Sequence, residues 1–177
     1  DSSAMMTALN GGAVDIVTHL TVSQTQNLSD QYTVLEGTMN LVQALYLNNA
    51  QAPFDDVRVR QALCYAIDKD AILELTADGH GAKLGSSVYP AFTKYFDDSL
   101  TDYYTYDPEK AKELLAEAGY ANGFSMTITV PSNYTPHVDV AQVLVEQLGA
   151  VGITVQLQEV EWNTWLQDVY QGRNFQA

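Results

Sequence analysis

The stretch PFDDVRVRQALCYAIDKDAILEL, from Pro53 to Leu75, predicts two short helices in tandem. Asp55 or Asp56 fits the N-cap of the first helix, because a short carboxylate accepts the free amide protons of the first turn. Asp68 fits the N-cap of the second helix. Apolar side chains recur at helical spacing and predict one buried face: Val59, Ala62, Leu63, Ala66 and Ile67. The stretch therefore predicts a buried helical hub without chemistry of its own.

Two finer predictions concern side chains of this hub. Asp56 and Arg60 stand four residues apart, a spacing that favours an ion pair, so Arg60 is expected to be structural rather than a ligand clamp. Cys64 is the only cysteine of the chain, which leaves no intrachain disulfide. Its place in the helical stripe predicts a small buried thiol rather than a nucleophile.

Downstream of the hub, strand and helix patterns alternate. Asp107-Pro108-Glu109 predicts a helix start, with Asp107 as the cap and proline at the first helical position. Apolar residues at every second position predict strands around 126–130 and 153–157. A helical pattern lies between these strands and another follows, so the order predicts a parallel strand pair with a right-handed crossover.

Upstream of the hub, the pattern predicts a helix and several strands. The run from Ala4 to Leu9 fits the tail of a helix that ends at Asn10 and the following glycines. Short strands are expected over 13–17 and 32–35. The run from Met39 to Leu47 is apolar enough for a central strand.

Three sequence blocks resemble one known family. They are N-N-x-x-x-PFDDVRVRQAL-x-YAIDKDAI around the hub, YDPEKAKELLAEAGYANGF from Tyr106 to Phe124, and LVEQLGAVGITVQLQEVEW from Leu144 to Trp162. These blocks resemble, in the same order, those of the family 5 extracellular solute-binding proteins. That family comprises the oligopeptide-, dipeptide- and nickel-binding receptors of bacterial ABC importers.

The resemblance implies an α/β fold of mixed α+β type, a periplasmic-binding-protein-like lobe with a mixed sheet flanked by helices. Residues 1–177 are expected to form a single domain, part of the second (C-terminal) lobe of a two-lobed receptor. Such a receptor binds peptides in the interlobe cleft and delivers them to an ABC permease, without an enzymatic step. The resemblance further implies a monomer in the periplasm or extracellular space, with lipid anchoring as an open alternative. Without the other lobe, this chain is expected to fold but to bind ligand weakly.

Candidate ligand-binding residues follow from the predicted sheet. Ligands of open α/β sheets bind beyond the carboxyl ends of parallel strands. There Ser132, Asn133 and Tyr134 offer hydroxyl, amide and phenol groups that suit a peptide backbone or a sugar, although a plain strand–helix connection explains them equally well. Trp162 fits either a core anchor or a wall of the cleft. The resemblance places Asn48 near the cleft.

Composition excludes several classes of partner. A formal net charge of −14 disfavours nucleic acid and anionic membrane surfaces. No apolar run approaches the roughly 20 residues of a membrane span. His19, His80 and His137 are far apart and lack Cys or Glu neighbours at ligand spacing, so we expect no metal site and no cofactor.

Three alternatives to a peptide receptor stay open. Within the family, the ligand can be an oligosaccharide or a nickel chelate. From another class, an acid–base hydrolase needs two carboxylates converging in one cleft, for which the sequence offers Asp97 and Asp98. A regulator that fuses a receptor-like sensing domain to a DNA-binding module is the third.

Overall fold

The computed structural model describes residues 2–28, 30–37 and 41–177. It divides into two compact units, Asp1–Met39 and Asn40–Ala177. The first unit contains α1 (Ser2–Asn10), which confirms the predicted helix, and α2 (Val22–Gln26). In this unit the Tyr32 hydroxyl donates to the carbonyl oxygen of Leu9 at 3.0 Å. The single-domain assignment of residues 1–177 stays a prediction.

The second unit combines helices with a two-stranded sheet. Its elements are α3 (Val57–Ala66), α4 (Lys69–Ala77), a 3₁₀ helix (Asp98–Leu100), α5 (Pro108–Glu117), β1 (Phe124–Pro131), α6 (Thr135–Gly149), β2 (Ile153–Val160) and α7 (Trp162–Thr164), which continues as a π-helix (Trp165–Gln171). Strands β1 and β2 pair in parallel, with Phe124 opposite Ile153 and Pro131 opposite Val160. The α/β class and the parallel pair are confirmed. No helix within the described ranges has both the length and the apolar character of a membrane span.

The helical hub is confirmed with its caps. The Asp56 carboxylate accepts from the Arg58 amide at 2.8 Å, and the Asp68 carboxylate accepts from the Ala71 amide at 3.0 Å. The apolar stripe of α3 lies in the core together with Phe54, and side chains from both strands, α5 and α6 complete that core. Its largest fully buried side chains are Phe54, Leu63, Leu115, Leu148, Ile153 and Val59. The hub therefore anchors the sheet through α5 and α6.

The predicted Asp56–Arg60 pair is wrong. Asp56 instead pairs with Arg58, since the Arg58 Nη2 lies 2.6 Å from the Asp56 Oδ2. Spacing of four brings side chains together only inside a helix, whereas Asp56 is the cap residue, with extended backbone (φ −79°, ψ 123°). The Arg60 guanidinium donates to the carbonyl oxygens of Phe54 (2.7 Å) and Asp55 (3.1 Å), so its role is structural without the predicted ion pair.

The prediction of a buried Cys64 is also wrong, because this side chain is exposed. Successive residues of an α-helix are rotated by about 100°, so a position inside a stripe region need not lie on the stripe. The buried positions of α3 are Val59, Ala62, Leu63 and Ala66, and Cys64 lies off that face.

The upstream strands are not found. Residues 13–17, 32–35 and 41–47 have no strand structure, while residues 39 and 40 lie outside the described residues. A strand is stabilised by hydrogen bonds to a neighbouring strand, and the structure gives these runs no such neighbour in the part it describes. Leu45 and Leu47 nevertheless pack against the core, so these apolar side chains are partly buried although the segment forms no strand.

A side-chain clamp holds the hub to α6. Gln147 of α6 accepts from the Asp68 amide at 3.1 Å and donates to the Asp68 carbonyl oxygen at 3.2 Å. Replacing Gln147 with alanine is expected to lower the free energy of unfolding by about 1–3 kcal/mol, because two partly buried backbone groups lose their partner. Urea denaturation measures this change. Gln142→Ala, at an exposed position of the same helix, is the matched control, and an equal loss in both variants would contradict the clamp.

Candidate functional site

The carboxyl ends of β1 and β2 lie at one edge of the sheet, as the register of the parallel pair requires. The Ser132 amide extends the pairing by donating to the Val160 carbonyl oxygen at 2.8 Å. Tyr134 then precedes α6 as its N-cap residue. Beyond β2, the Glu161 carboxylate caps α7 by accepting from the Asn163 amide at 2.9 Å and the Thr164 amide at 3.4 Å. The connection from β1 to α6 and the connection from β2 to α7 therefore lie at the same edge of the sheet.

Five rings contact one another in sequence at this edge, three of the four contacts stacked and the Tyr134–Trp162 contact tilted at 38°, and they form what we call the aromatic ladder: His137, Tyr134, Trp162, Trp165 and Tyr170. Successive ring centroids are 5.4, 5.1, 5.6 and 6.1 Å apart. The two indoles are nearly parallel, at 7°. Such offset stacking stabilises aromatic pairs beyond the area that they bury, so the ladder connects the β1–α6 turn to the helix after β2.

The structure brings four of the five predicted ligand residues together here. Ser132, Asn133 and Tyr134 are exposed, with Tyr134 at 42%. Trp162 contacts the Tyr134 ring and is partly exposed, so it is part of this edge rather than of the buried core. Their role in ligand binding stays a prediction, but hydroxyl, amide, phenol and indole groups do converge at one accessible surface.

Asn48 is not part of this group. Its side-chain amide donates to the Phe175 carbonyl oxygen at 2.9 Å, and its backbone amide donates to the Gln176 carbonyl oxygen at 2.9 Å. Its Oδ1 accepts from the Ala50 amide at 3.2 Å. The side chain thus uses one donor and one acceptor, and the bonds to Phe175 and Gln176 show that Asn48 holds the C-terminal segment in place.

Sequence reasoning missed three members of the ladder as site residues: His137, Trp165 and Tyr170. The signal for Trp165 was its spacing of three from Trp162, which puts both indoles on one helical face. The Nε1 of Trp165 is buried and has no hydrogen-bond acceptor in the part of the chain that the structure describes. Buried indole N–H groups usually find an acceptor, so the Trp165 N–H is an unsatisfied donor among the described residues.

A cavity of about 280 Å³ opens on the face of the sheet opposite the core. None of the five predicted ligand residues lines it. Its walls come from both strands, the helix after β2 and the C-terminal segment: Gln51, Thr127, Thr129, Gln158, Val160, Thr164, Asp168, Val169, Asn174, Phe175 and Gln176. Hydroxyl and amide side chains predominate in this list, while Val160, Val169 and Phe175 give the cavity apolar walls as well.

Metal chemistry and hydrolysis gain no support from the described residues. Across residues 2–28, 30–37 and 41–177, no three His, Cys, Asp or Glu side chains are grouped as a metal site requires. Asp97 and Asp98 are both exposed, and the Asp97 carboxylate accepts from the Ser99 amide and hydroxyl at 3.0 and 2.6 Å. Asp97 therefore caps the 3₁₀ helix, and the pair does not form a hydrolytic cleft.

His137 makes stability depend on pH. Partial burial lowers the pKa of His137 below its ordinary value of about 6.5, because burial disfavours the charged imidazolium. The unfolded chain therefore binds a proton at a higher pH than the folded chain. This contribution to stability is complete above about pH 6.5 and is lost as pH falls through the lower folded pKa. Urea unfolding at several pH values between 7.5 and 5 should show a shallower decline in His137→Phe, which keeps a ring on Tyr134. Identical declines would contradict this.

The sequence of this chain matches a known protein family along its whole length. The family model described as "Bacterial extracellular solute-binding proteins, family 5 Middle" matches residues 1–177. The chain belongs to this family.

Relatives of this family 5 chain include receptors that are named for different ligands. Heme-binding protein A of Haemophilus influenzae is 34% identical over 92% of this chain and 30% of its own length. The dipeptide-binding protein of Escherichia coli is 38% identical over 73% of the chain and 25% of its own length. A dipeptide-binding protein from Pseudoalteromonas sp. SM9913, solved in complex with Met-Leu, superposes with a TM-score of 0.64 at 34% identity, over 72% of this chain and 25% of that one. The family 5 chain thus spans about a quarter to a third of the length of these relatives.

Proposed function

We propose that this chain is part of the substrate-binding component of an ABC-type importer. The whole receptor binds peptides in a cleft between two lobes and delivers them to a membrane permease, with no chemical step. It acts in the periplasm or at the outer face of the cell, where a lipid anchor can hold it. Family membership supports the solute-binding role, and the ligands for which the two dipeptide-binding relatives are named support a peptide.

One structural observation supports the proposed location of the peptide site. Asn133 and Tyr134 from the first turn and Trp162 from the second meet at the carboxyl ends of β1 and β2. A peptide needs donors and acceptors for its backbone and an apolar wall for its side chains, since few directed polar groups in a largely apolar cleft give orientation. The exposed amide and hydroxyl groups supply the first requirement and the ladder supplies the second.

The ladder favours a peptide over an oligosaccharide. A sugar ring packs on the open face of an aromatic side chain. Trp162 instead has a tilted contact with Tyr134 and a stacked contact with Trp165, and Trp165 is stacked between Trp162 and Tyr170. Neighbouring rings therefore cover part of each indole, which reduces the open aromatic face available to a sugar ring.

Native mass spectrometry of the whole receptor, as purified and after addition of a mixed di- to tetrapeptide library, tests this proposal. A series of bound peptide masses is expected. The double variant Asn133→Ala, Tyr134→Ala should weaken calorimetric peptide affinity at least about tenfold, the effect of losing a hydrogen bond and part of an apolar wall. Tyr95→Ala, which removes an exposed ring elsewhere, is the matched control and should bind normally.

Two results would contradict the proposal. A single bound mass that matches a sugar or a metal chelate would keep the transport role and replace the ligand. Unchanged peptide affinity in the double variant would move the site away from this edge.

A further inference from the structure

The cavity on the face of the sheet opposite the core is a second candidate site, separate from the aromatic ladder. Residues at alternate positions of β1 face opposite sides: Met126, Ile128 and Val130 are buried in the core, so Thr127 and Thr129 point the other way. The helix after β2 covers part of that second face with Thr164 and Asp168. A volume of about 280 Å³ is close to the lower end of ordinary small-ligand pockets.

Several polar side chains of this cavity have no hydrogen-bond partner among the residues that the structure describes. The backbones of β1 and β2 pair with each other along their full length. No hydrogen bond to another described residue is made by three side chains on these strands: the hydroxyls of Thr127 and Thr129 and the amide of Gln158. Threonine hydroxyls and glutamine amides both donate and accept. The cavity therefore presents unused hydrogen-bonding groups to whatever enters it.

Charge at the cavity has one sign. Asp168 is the only ionisable side chain among the described residues that line it, and its carboxylate forms no ion pair within the described ranges. From residue 113 to residue 173 the sequence contains one Lys or Arg, Arg173, which directly precedes the lining residue Asn174, against seven carboxylates. The carboxylates of that stretch are Glu113, Glu117, Asp139, Glu146, Glu159, Glu161 and Asp168. The local field therefore attracts cations.

We infer that this cavity binds a small polar cation, a primary ammonium or guanidinium group with hydroxyl or carbonyl substituents. Its cationic group lies against the Asp168 carboxylate, and its polar substituents bond to Thr127, Thr129 and Gln158. Charge-assisted hydrogen bonds are about twice as strong as neutral ones, so the cation gives selectivity as well as affinity. This site is independent of the peptide site, because the two share no residue.

Three matched probes test the inference on the 177-residue chain by amide NMR: aminobutanol (cationic), butanediol (neutral) and hydroxybutanoate (anionic). Aminobutanol is expected to shift the amide signals of Thr127, Thr129 and Asn174, with an affinity at least about tenfold above that of butanediol. Hydroxybutanoate should cause no shift. The isosteric variant Asp168→Asn should bind aminobutanol and butanediol equally.

The control variant is Glu146→Gln, which removes the same charge from an exposed position of α6 and should keep the preference for the cation. Equal shifts from all three probes would overturn the inference. So would cation-induced shifts spread over the acidic surface, or a preference that survives in Asp168→Asn. The comparison of probes on the unmodified chain decides the question even if a variant fails to fold, and none of these results depends on peptide binding.

Discussion

Alanine in place of Gly123 is expected to unfold the second unit. Gly123 precedes β1 with φ at +72°, and a Cβ built on it would lie 1.8 Å from the carbonyl oxygen of Gly152, which precedes β2. No side chain can move aside there, because the clashing atom belongs to the backbone immediately before β2. Relief requires the two strands to separate where their pairing begins. We expect the free energy of unfolding to fall by more than about 4 kcal/mol, a loss that only a few kinds of substitution cause. The whole free energy of unfolding of a typical domain is about 5–15 kcal/mol.

Far-ultraviolet circular dichroism with urea denaturation measures the effect of Gly123→Ala. Two further glycines serve as controls. Gly149, the last residue of α6, has open space around it, so alanine there should be neutral or stabilise by about 0.5–1 kcal/mol. Gly152 has φ at +88° with its nearest neighbour at 3.7 Å, so alanine should cost only the conformational strain of about 1–2 kcal/mol. A Gly123→Ala variant as stable as Gly152→Ala would contradict the predicted clash.

Truncation of Phe54 to alanine should have the second largest effect, a loss of about 3–5 kcal/mol in the free energy of unfolding. The ring is fully buried and meets Phe124 of β1 edge to face, with centroids 6.1 Å apart. Its removal leaves a cavity where the hub meets the sheet, and the backbone around it is held by the bonds from Arg60. The structure around the missing ring therefore relaxes little, so the loss in the free energy of unfolding should lie toward the upper end of this range.

Phe92→Ala is the matched control for Phe54, because the Phe92 ring is 49% exposed and lies in a loop. Its loss should change the free energy of unfolding by no more than about 0.5–1 kcal/mol. Urea unfolding of both variants gives the comparison. Similar losses in the two variants would show that Phe54 does not join the hub to the sheet.

Features that depend on neighbours in sequence were predictable here. Three cap residues each accept a hydrogen bond from an amide two or three residues ahead: Asp56, Asp68 and Asp107. Both partners of each bond therefore lie in the same short stretch of sequence. The alternation of Met126, Ile128 and Val130 reflects the pleat of a single strand. Local hydrogen bonding and periodicity therefore predict the hub, the helices and the parallel pair.

Features that depend on distant partners were not predictable. The apolar run from Leu41 to Leu47 has the composition of a strand, but strand structure also needs a neighbouring ladder, which composition does not specify. Asn48 likewise follows a predicted strand end, yet its amide is used by a carbonyl oxygen 127 residues away. Nothing in its local sequence contains that partner.

The candidate site falls between these cases. The rule that ligands bind beyond the carboxyl ends of parallel strands predicts the Ser132–Tyr134 turn, and the register places Trp162 beside it. The continuation of the stack to His137 and Tyr170 depends on how α6 begins and on the π-helical turns after α7. Those geometries set the direction of each ring, and residue spacing alone does not define them.

The two indoles of the ladder give the chain a built-in optical reporter. Trp162 and Trp165 are its only tryptophans, so selectively excited emission from this chain originates entirely at the edge of the sheet. The two nearly parallel indoles lie 5.6 Å apart, so a change in their stacking alters the surroundings of both emitting groups at once. The opening or closing of the ladder can thus be followed in real time without attaching a dye.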